Sequence, residues 1–375
     1  MNTFGILFRL STWGESHGAS IGAVVDGCPA GLELSAEDIQ RELDLRKPGR
    51  SPVSSPRREE DRVEILSGVF EGRTLGTPIG LMIRNLDQRS EDYAPLADLY
   101  RPGHADFTYQ MKYGRRDPRG GGRSSGRETA ARVAAGAIAR KLLAARGIRV
   151  LAFARRIGEV ALEDREVESL FAPEPAPAVL EALRRSIYGS PVRCPIQGRA
   201  EAMREAVERI AAEKDSLGGI VEVRAFGVPA GLGEPVFGKI GALIGQAVLS
   251  VGAVKGVEFG AGFGLAAMRG SSANDPFTRN AGGEVVPASN RAGGMAGGIS
   301  TGLPIVCRVA VKPTASIGAE QETVDARGRP VRLSVQGRHD PCIVPRIVPV
   351  IEHMINIVLV DLLLAHVARD SFFRL

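Results

Sequence analysis

The chain has 375 residues, 44% of them hydrophobic, which is enough apolar material for one large domain or two smaller ones. Its formal charge of +5, carried mainly by arginine, indicates anionic ligands without requiring nucleic acid. The 46 glycines and 23 prolines are not gathered into repeats, which excludes a collagen-like or low-complexity chain.

The cysteines and the N-terminus indicate the cellular compartment. Cys28, Cys194, Cys307 and Cys342 lie far apart and form neither a zinc pattern nor an evident disulfide framework. Reduced thiols of this kind are typical of a cytoplasmic protein. The first residues lack the basic region and apolar core of a signal peptide, and no apolar run is expected to reach membrane-spanning length. We therefore expect a soluble, cytoplasmic protein.

The first chemically rich segment is the loop Gly14–Gly18, where Ser16 and His17 follow Glu15. Strands are predicted on both sides of it, over residues 4–10 and 21–26. Reactive groups on a glycine-bounded loop beside a strand are common in active sites, although a surface turn explains this segment equally well by itself.

The next segment is basic. A capping-box-like start at Ser35 predicts a helix that ends near Leu45, before a proline and a glycine. Arginines and a lysine surround a Ser/Pro-rich loop at residues 51–56: Arg46, Lys47, Arg50, Arg57 and Arg58. This run is either a solvated basic loop or an arginine lid over a multiply charged anion.

Strands are predicted over residues 63–66 and 79–83, and a long irregular segment over residues 85–127. Loops of this length are usually functional or disordered, and the aromatic residues of this one argue against disorder. It contains Arg101–Asp106, where a proline and a glycine fix the backbone around His104.

An alanine-rich helix is predicted to run to about Arg146 after the sequence Arg119–Thr129. Free backbone N–H groups, serine hydroxyls and arginines at its start indicate an anion site. The Gly-Lys-Ser/Thr ending of a nucleotide P-loop is missing. An RGG-like RNA-binding segment is the alternative, although such segments normally repeat.

The second half alternates strands, helices and loops. The predicted elements are a strand at 150–160, a peripheral insertion at 163–191, a helix at 199–214, a strand at 220–226, a helix at 236–251, a strand at 257–259, a long loop at 260–302, a strand at 305–311, a hairpin around 325–329, and a final helix to about residue 368 interrupted by Pro345 and Pro349. His353 and His366, isolated on that helix, are interpreted as structural or exposed.

Three segments share a fixed loop, a titratable group and a basic partner: Ser16–His17, Arg101–His104 and Arg338–Asp340. Arginine matches the geometry of phosphate and carboxylate, while histidine can donate a proton near neutral pH. Because no acidic cluster has the spacing of a metal site, no metal is predicted and the cationic role falls to arginine and histidine.

The sequence resembles the chorismate synthase family over nearly its whole length. The resemblance is carried by the motifs Gly14–Gly18 with Asp26–Pro29, Arg101–Asp106, Ser125–Thr129 with Val133 and Gly136–Ala137, Lys312–Thr314, and Arg338–Cys342 with Glu352. The chain departs from the family pattern at Pro52, Gly126 and Ala315.

The resemblance implies a carbon–oxygen lyase that eliminates phosphate from 5-enolpyruvylshikimate 3-phosphate by a 1,4-anti route to give chorismate. Reduced FMN is required without net redox change, and NADPH enters indirectly through a separate flavin reductase, since the chain resembles the monofunctional bacterial type. The implied fold is α+β, a β-α-β sandwich with helices between antiparallel sheets. A single domain, a homotetramer, and no nucleic-acid or membrane partner complete the expectation.

The resemblance also implies roles for individual residues. His17 protonates the departing phosphate with Ser16 beside it, His104 holds the reduced flavin in its anionic form, and Asp340 relays a proton. The substrate-binding positions are Arg46, Arg57, Arg101, Ser125, Arg127 and Arg338. The flavin-binding positions are Arg123, Ser124, Ser125, Gly252, Ala253, Gly297, Lys312, Pro313, Thr314, Ala315, Ser316 and Arg338.

Two other functional classes are compatible with parts of the sequence. An RNA-binding protein would use the basic stretch at Arg119–Arg127 and show salt-sensitive binding without flavin affinity. A serine hydrolase would use Ser16 and His17, but adjacent side chains usually point apart. The sequence also shows no recognisable oxyanion hole.

Overall fold

The computed structural model describes residues 1–47, 60–87, 93, 96–171, 175–280, 282–335 and 339–370. Within these ranges the helices are α1 Ala36–Arg46, α2 Asp106–Tyr113, α3 Thr129–Ala144, α4 Asp164–Glu168, α5 Pro177–Gly189, α6 Gln197–Ala212, α7 Ile240–Leu249, α8 Gly270–Ala273 and α9 Val344–Asp370. The capping box predicted at Ser35 is confirmed, because its hydroxyl accepts from the Asp38 N–H while the Asp38 carboxylate accepts from the Ser35 N–H.

The strands form two antiparallel five-stranded sheets and several hairpins. The first sheet has the order β1 Thr3–Phe4, β2 Arg9–Gly14, β3 Ser20–Asp26, β7 Ile79–Arg84 and β4 Val63–Ile65. The second has the order β11 Val254–Phe259, β16 Ile305–Val311, β10 Gly219–Phe226, β8 Arg149–Ile157 and β9 Val160–Ala161. The hairpin pairs are β5 Val69–Phe70 with β6 Arg73–Thr74, β12 Phe277–Arg279 with β13 Val285–Pro287, β14 Met295–Ala296 with β15 Ile299–Ser300, and β17 Gln321–Val324 with β18 Pro330–Leu333.

Helices pack on each sheet and on one another. Helix α3 contacts β2, β3 and β7 of the first sheet, whereas α9 contacts β8 and β10 of the second. The two helices also contact each other along their length, which explains why α3 is rich in alanine. The fold is therefore α+β with antiparallel sheets, as predicted.

The strand predicted over residues 4–10 is wrong in its position. The backbone N–H groups of Ile6, Leu7 and Phe8 donate to the carboxylate of Asp361 on α9, and Gly5 has a φ of +91°. These contacts bend the chain away from the extended conformation, so that β2 begins only at Arg9. The partner lies more than 350 residues away, where no local pattern reveals it.

The final helix is continuous, which corrects the predicted interruption. Pro345 lies in the first turn, where a missing N–H costs nothing, and α9 passes through Pro349. Packing of α9 against α3 and β8 outweighs the lost hydrogen bond.

Helix α9 is also long and apolar enough to cross a membrane, contrary to expectation. However, 83% of its most apolar 18-residue stretch is buried inside the protein, as in a core helix.

Other loop predictions are corrected by short elements. The segment at 85–127 contains α2, and the loop at 260–302 contains α8 and two hairpins. The helix predicted from residue 236 begins at Ile240, because Val236 has a φ of +64°. In the predicted insertion at 163–191, α5 packs on β8.

Gly136 lies where α3 and α9 approach each other closely. A Cβ built at this position would lie 2.3 Å from the Cβ of His353, a distance that requires the helices to move apart. We expect Gly136→Ala to lower the free energy of unfolding by about 1–3 kcal/mol, as overpacking does, measured by urea-induced unfolding. Gly198→Ala on α6 is the matched control, because its Cβ meets no atom within 4 Å. Equal stability of the Gly136 variant and wild type would contradict this packing account.

Candidate active site

A cavity of about 660 Å³ lies where the start of α3, the end of α7 and the start of α9 meet. This volume is in the range that holds a small organic ligand or cofactor. Most of the predicted site residues line it: His17, Arg46, Arg101, His104, Arg123, Ser124, Ser125, Gly252, Ala253, Lys312, Pro313, Thr314, Ala315 and Ser316.

His17 is held by its neighbours at the cavity wall. Its Nδ1 lies 3.1 Å from the Ser16 hydroxyl, so the adjacent side chains do not point apart as expected. The ring of Tyr93 meets the imidazole edge-on, with centroids 5.0 Å apart. Gly120 has a φ of +65°, and a Cβ there would lie 2.4 Å from the His17 Cε1. Only glycine permits this contact, which fixes the imidazole beside the Gly120–Gly122 turn.

The second histidine is fixed by an ion pair. His104 Nδ1 lies 3.0 Å from Asp106 and 3.1 Å from the guanidinium of Arg101. Arg101 in turn makes a bidentate contact with Asp106 at 2.7 and 2.8 Å and donates to the Gly120 carbonyl. Burial opposes ionisation of Asp106, but these hydrogen bonds outweigh it and hold its pKa well below the usual value. The carboxylate therefore remains charged and orients the Arg101 guanidinium and the His104 imidazole.

Arg46 belongs to a buried cluster and not to an exposed basic loop. Its Nη1 lies 3.1 Å from the Asp61 carboxylate, and its Nε lies 3.0 Å from the Thr129 hydroxyl. Asp61 also pairs with Arg127, whose Nε donates to Asn85 at 2.8 Å. Burial lowers the pKa of Arg46 to about 9, so its guanidinium stays charged at neutral pH. Asp61 thus joins two predicted substrate-binding arginines.

The predicted flavin-binding residues come from separate elements. Arg123 donates to the Thr12 hydroxyl at 2.6 Å and to the Gly14 carbonyl at 3.2 Å, which fastens its turn to β2. Lys312 follows β16 and donates to the Gly103 carbonyl at 2.8 Å. Burial and then Lys255 lower the pKa of Lys312. This contact brings the Lys312–Ser316 loop against the segment that carries His104.

Some predicted residues do not line this cavity. Ser16 lies behind His17, and Arg127 faces Asp61 and Asn85. Gly297 stands in the turn between β14 and β15, and its role stays a prediction. Asp340 is buried and pairs with Arg346 of α9, which does line the cavity. Arg57 and Arg338, like Pro52, lie outside the described residues.

Sequence reasoning missed Asp61, Arg132 and Arg346 and assigned no role to His339. Arg132, His339 and Arg346 line the cavity, while Asp61 anchors two arginines. Asp61 follows the basic run at Arg57 and Arg58, and Arg346 follows the Arg338–Cys342 motif, but no local pattern distinguishes either residue from a surface charge. Only the packing of α1, α3 and α9 brings them to the site.

The cavity is strongly cationic. Among the described residues, its lining contains five arginines and Lys312 against a single carboxylate, Glu128. Such an excess favours ligands that carry several negative charges. The arrangement agrees with the sequence argument that arginine and histidine provide the cationic groups.

A separate buried cluster has the composition of a metal site, which the sequence had not predicted. The ligand atoms of Glu42, Glu352 and His353 lie within 4.8 Å of one another. Arg184 already pairs with Glu42 at 2.6 Å and with Glu352 at 2.7 Å. Because the charge of this guanidinium compensates the charge of the carboxylates, we interpret the cluster as an internal ion-pair network.

All four cysteines are free and buried, as expected for reduced thiols. Burial raises the pKa of Cys28 and Cys194 to about 11 and that of Cys307 and Cys342 to about 12. They are therefore neutral and inert near pH 7.

The chain is similar to known proteins of one family. The family model described as "Chorismate synthase" matches residues 8–364. The chain is 54% identical to chorismate synthase of Chloroflexus aggregans, covering 99% of this chain and 98% of that protein. It is 56% identical to that of Syntrophobacter fumaroxidans, covering 97% of each.

A solved structure titled "Crystal Structure of Chorismate Synthase" is also similar. It superposes with a TM-score of 0.77 at 36% sequence identity, covering 96% of this chain and 93% of the other. Sequence and fold therefore agree over nearly the full length. The chain belongs to the chorismate synthase family, a family of lyases.

Proposed function

We propose that this chain eliminates phosphate from 5-enolpyruvylshikimate 3-phosphate by a 1,4-anti route to give chorismate, with reduced FMN required and no net redox change. The family assignment supports the chorismate-forming step of the shikimate pathway. The observation that carries the finer proposal is the cationic cavity in which His17 and His104 are both held in fixed orientations.

The substrate carries a phosphate and two carboxylates, and the cavity provides matching cations. Arg46 and Arg101 line it with part of their donors committed to Asp61 and Asp106, which fixes the direction of the guanidinium groups. Ser125 adds a hydroxyl at the start of α3. Arg127 supports this group from behind through Asp61, while Arg57 and Arg338 stay predicted substrate ligands.

Support for the flavin site comes from the donors around the cavity. Lys312 and Arg123 offer cationic groups for the FMN phosphate or ring, and the Thr314 hydroxyl is buried without a partner among the described residues. Gly252 and Ala253 also line the cavity, and the Ala253 carbonyl accepts from the Lys312 N–H at 2.9 Å, which places them beside the Lys312–Ser316 loop. Reduced FMN bound by these residues would supply the electron density that assists phosphate departure and would accept the C6 hydrogen.

The protein groups have separate tasks. His17 donates a proton to the leaving phosphate, and Ser16 together with the Gly120 turn holds its ring in place. His104, oriented by Asp106, places a hydrogen-bonding imidazole that stabilises negative charge in the cavity. Asp340 is assigned the relay of the flavin N5 proton, and its carboxylate is held by Arg346.

The wider setting follows the same family picture. We propose a single-domain enzyme with a peripheral insertion at 163–191, whose α+β fold is the family's β-α-β sandwich. It would act as a cytoplasmic homotetramer without nucleic-acid or membrane partners. NADPH would supply reduced flavin through a separate reductase.

Anaerobic incubation with the phosphorylated substrate, with and without reduced FMN, tests this proposal. We expect phosphate release only when reduced flavin is present. A colorimetric assay measures the released phosphate, and absorbance measures the chorismate formed. Oxidised FMN is the matched control and should support no release. Equal release without flavin, or none with it, would contradict the mechanism. Salt-sensitive RNA binding with no flavin affinity would favour the RNA-binding alternative.

A further inference from the structure

Buried polar atoms without partners mark where a ligand completes the site. Among the described residues, seven side-chain atoms are buried and make no hydrogen bond. Three of them belong to residues that line the cavity: Thr314 Oγ1, His339 Nε2 and Arg346 Nε. Unpaired buried groups are rare in native proteins, so their concentration at one cavity indicates a polar ligand.

His339 lines the cavity near Arg101 and His104. Its imidazole is close enough to Arg101 and His104 for their charges to act on it. The Lys312–Ser316 loop also lines the cavity and is tied to the backbone before His104 by the Lys312 hydrogen bond to Gly103. His339 therefore belongs to the wall formed by the predicted flavin-binding loop and His104.

The imidazole of His339 is neutral in this environment. Burial lowers its pKa, the charges of Arg101 and His104 lower it further, and Asp340 opposes them only in part. A neutral imidazole offers one donor and one acceptor. It suits a ligand with hydrogen-bonding atoms along a planar edge better than a phosphate group, which attracts cations.

We propose that His339 is a further cofactor-contacting residue of this site, whose Nε2 forms a hydrogen bond with a polar atom at the edge of the flavin ring. This inference rests on the proposed function and extends it. Thr314 is already assigned to the cofactor, and Arg346 is committed to Asp340 through one of its nitrogens. His339 is thus the unassigned group best placed to recognise the ring itself.

The test is a pair of equilibrium titrations of the full-length protein. Binding of FMN is monitored by flavin fluorescence, and binding of reduced FMN is monitored by absorbance under anaerobic conditions. His339→Leu keeps the side-chain size but removes both nitrogens, and we expect it to weaken FMN binding about tenfold or more. His339→Gln places an amide near the Nε2 position and should stay within about threefold of wild type. His366→Leu, at an exposed histidine of α9, is the matched control.

Additional readouts separate ligand contact from a structural role. The ligand-free His339→Leu protein should unfold at the same urea concentration as wild type or a higher one, because an unpaired buried nitrogen is removed. At saturating flavin, the KM for the phosphorylated substrate should change less than about twofold. Should His339→Leu fail to fold, His339→Met takes its place in the same titration.

The outcomes distinguish this inference from the proposed function. No FMN binding by the wild-type protein would contradict the proposed function itself. Normal binding by wild type and by His339→Leu alike would overturn the inference alone. Equal loss in the Leu and Gln variants, or a raised substrate KM with unchanged flavin affinity, would also overturn it.

Discussion

His17→Ala is expected to slow phosphate release by about 10²–10⁴-fold, the usual contribution of a positioned general acid. The imidazole lies at the cavity wall, where Ser16, Tyr93 and the Gly120 turn hold it in place. Alanine removes the proton donor without filling the cavity. The rate is measured as single-turnover phosphate release with saturating reduced FMN.

Flavin binding provides the control for this variant. Because the predicted flavin ligands cluster at Arg123, Ser124 and Lys312–Ser316, the affinity of His17→Ala for FMN should stay within about threefold of wild type. His366→Ala should leave both the rate and the affinity unchanged. A large loss of flavin affinity in His17→Ala would show that His17 supports the cofactor and does not act as the acid.

Asp61→Asn is expected to lower the free energy of unfolding by about 3–5 kcal/mol, because two buried arginines lose their shared countercharge. The Asp61 side chain is fully buried and pairs with Arg46 and Arg127. The amide keeps the shape but cannot neutralise either guanidinium. Urea-induced unfolding at pH 7 gives the magnitude, and Asp26→Asn at the exposed pair with Arg9 is the control, expected to cost less than about 1 kcal/mol.

The ion pairs of Asp61 predict that the free energy of unfolding depends on pH. Burial raises the pKa of Asp61, but the charges of Arg46 and Arg127 outweigh burial and lower it below its ordinary value of 3.8. A carboxyl with a depressed folded-state pKa stabilises the protein above the unfolded-state pKa and loses that contribution as the pH falls through the folded-state value. The stability difference between wild type and Asp61→Asn should therefore be constant above about pH 5 and shrink below about pH 4. A difference that grows on acidification would contradict the ion-pair account.

The regular elements were predictable where local rules dominate. The capping box of α1, the alanine-rich helix α3 and the strand at 305–311 (β16) each follow from neighbouring residues, and the structure confirms them. The errors arose where distant groups intervened. The Asp361 carboxylate accepts hydrogen bonds from the N–H groups of residues 6–8, and α9, which packs on α3 and β8, is continuous through Pro349.

The candidate site divides in the same way. Residues in compact motifs, such as His17, His104 and Lys312, were found from the sequence because glycine and proline beside a reactive group form a visible local pattern. Asp61, Arg346 and the unpartnered nitrogen of His339 gain their meaning only from neighbours on other elements. Their partners are separated from them by too many residues for periodicity or spacing to reveal.

The sequence by itself determined the family, the cationic character of the site and the identity of its candidate acid, because these depend on residue types in ordered motifs. The tertiary structure decided which arginines reach the cavity and which support it from behind. Arg46 and Arg127 are equivalent as sequence features, but the meeting of α1, α3 and Asp61 places Arg46 at the cavity and turns Arg127 toward Asn85. That difference arises from burial and long-range pairing, which a linear pattern does not contain.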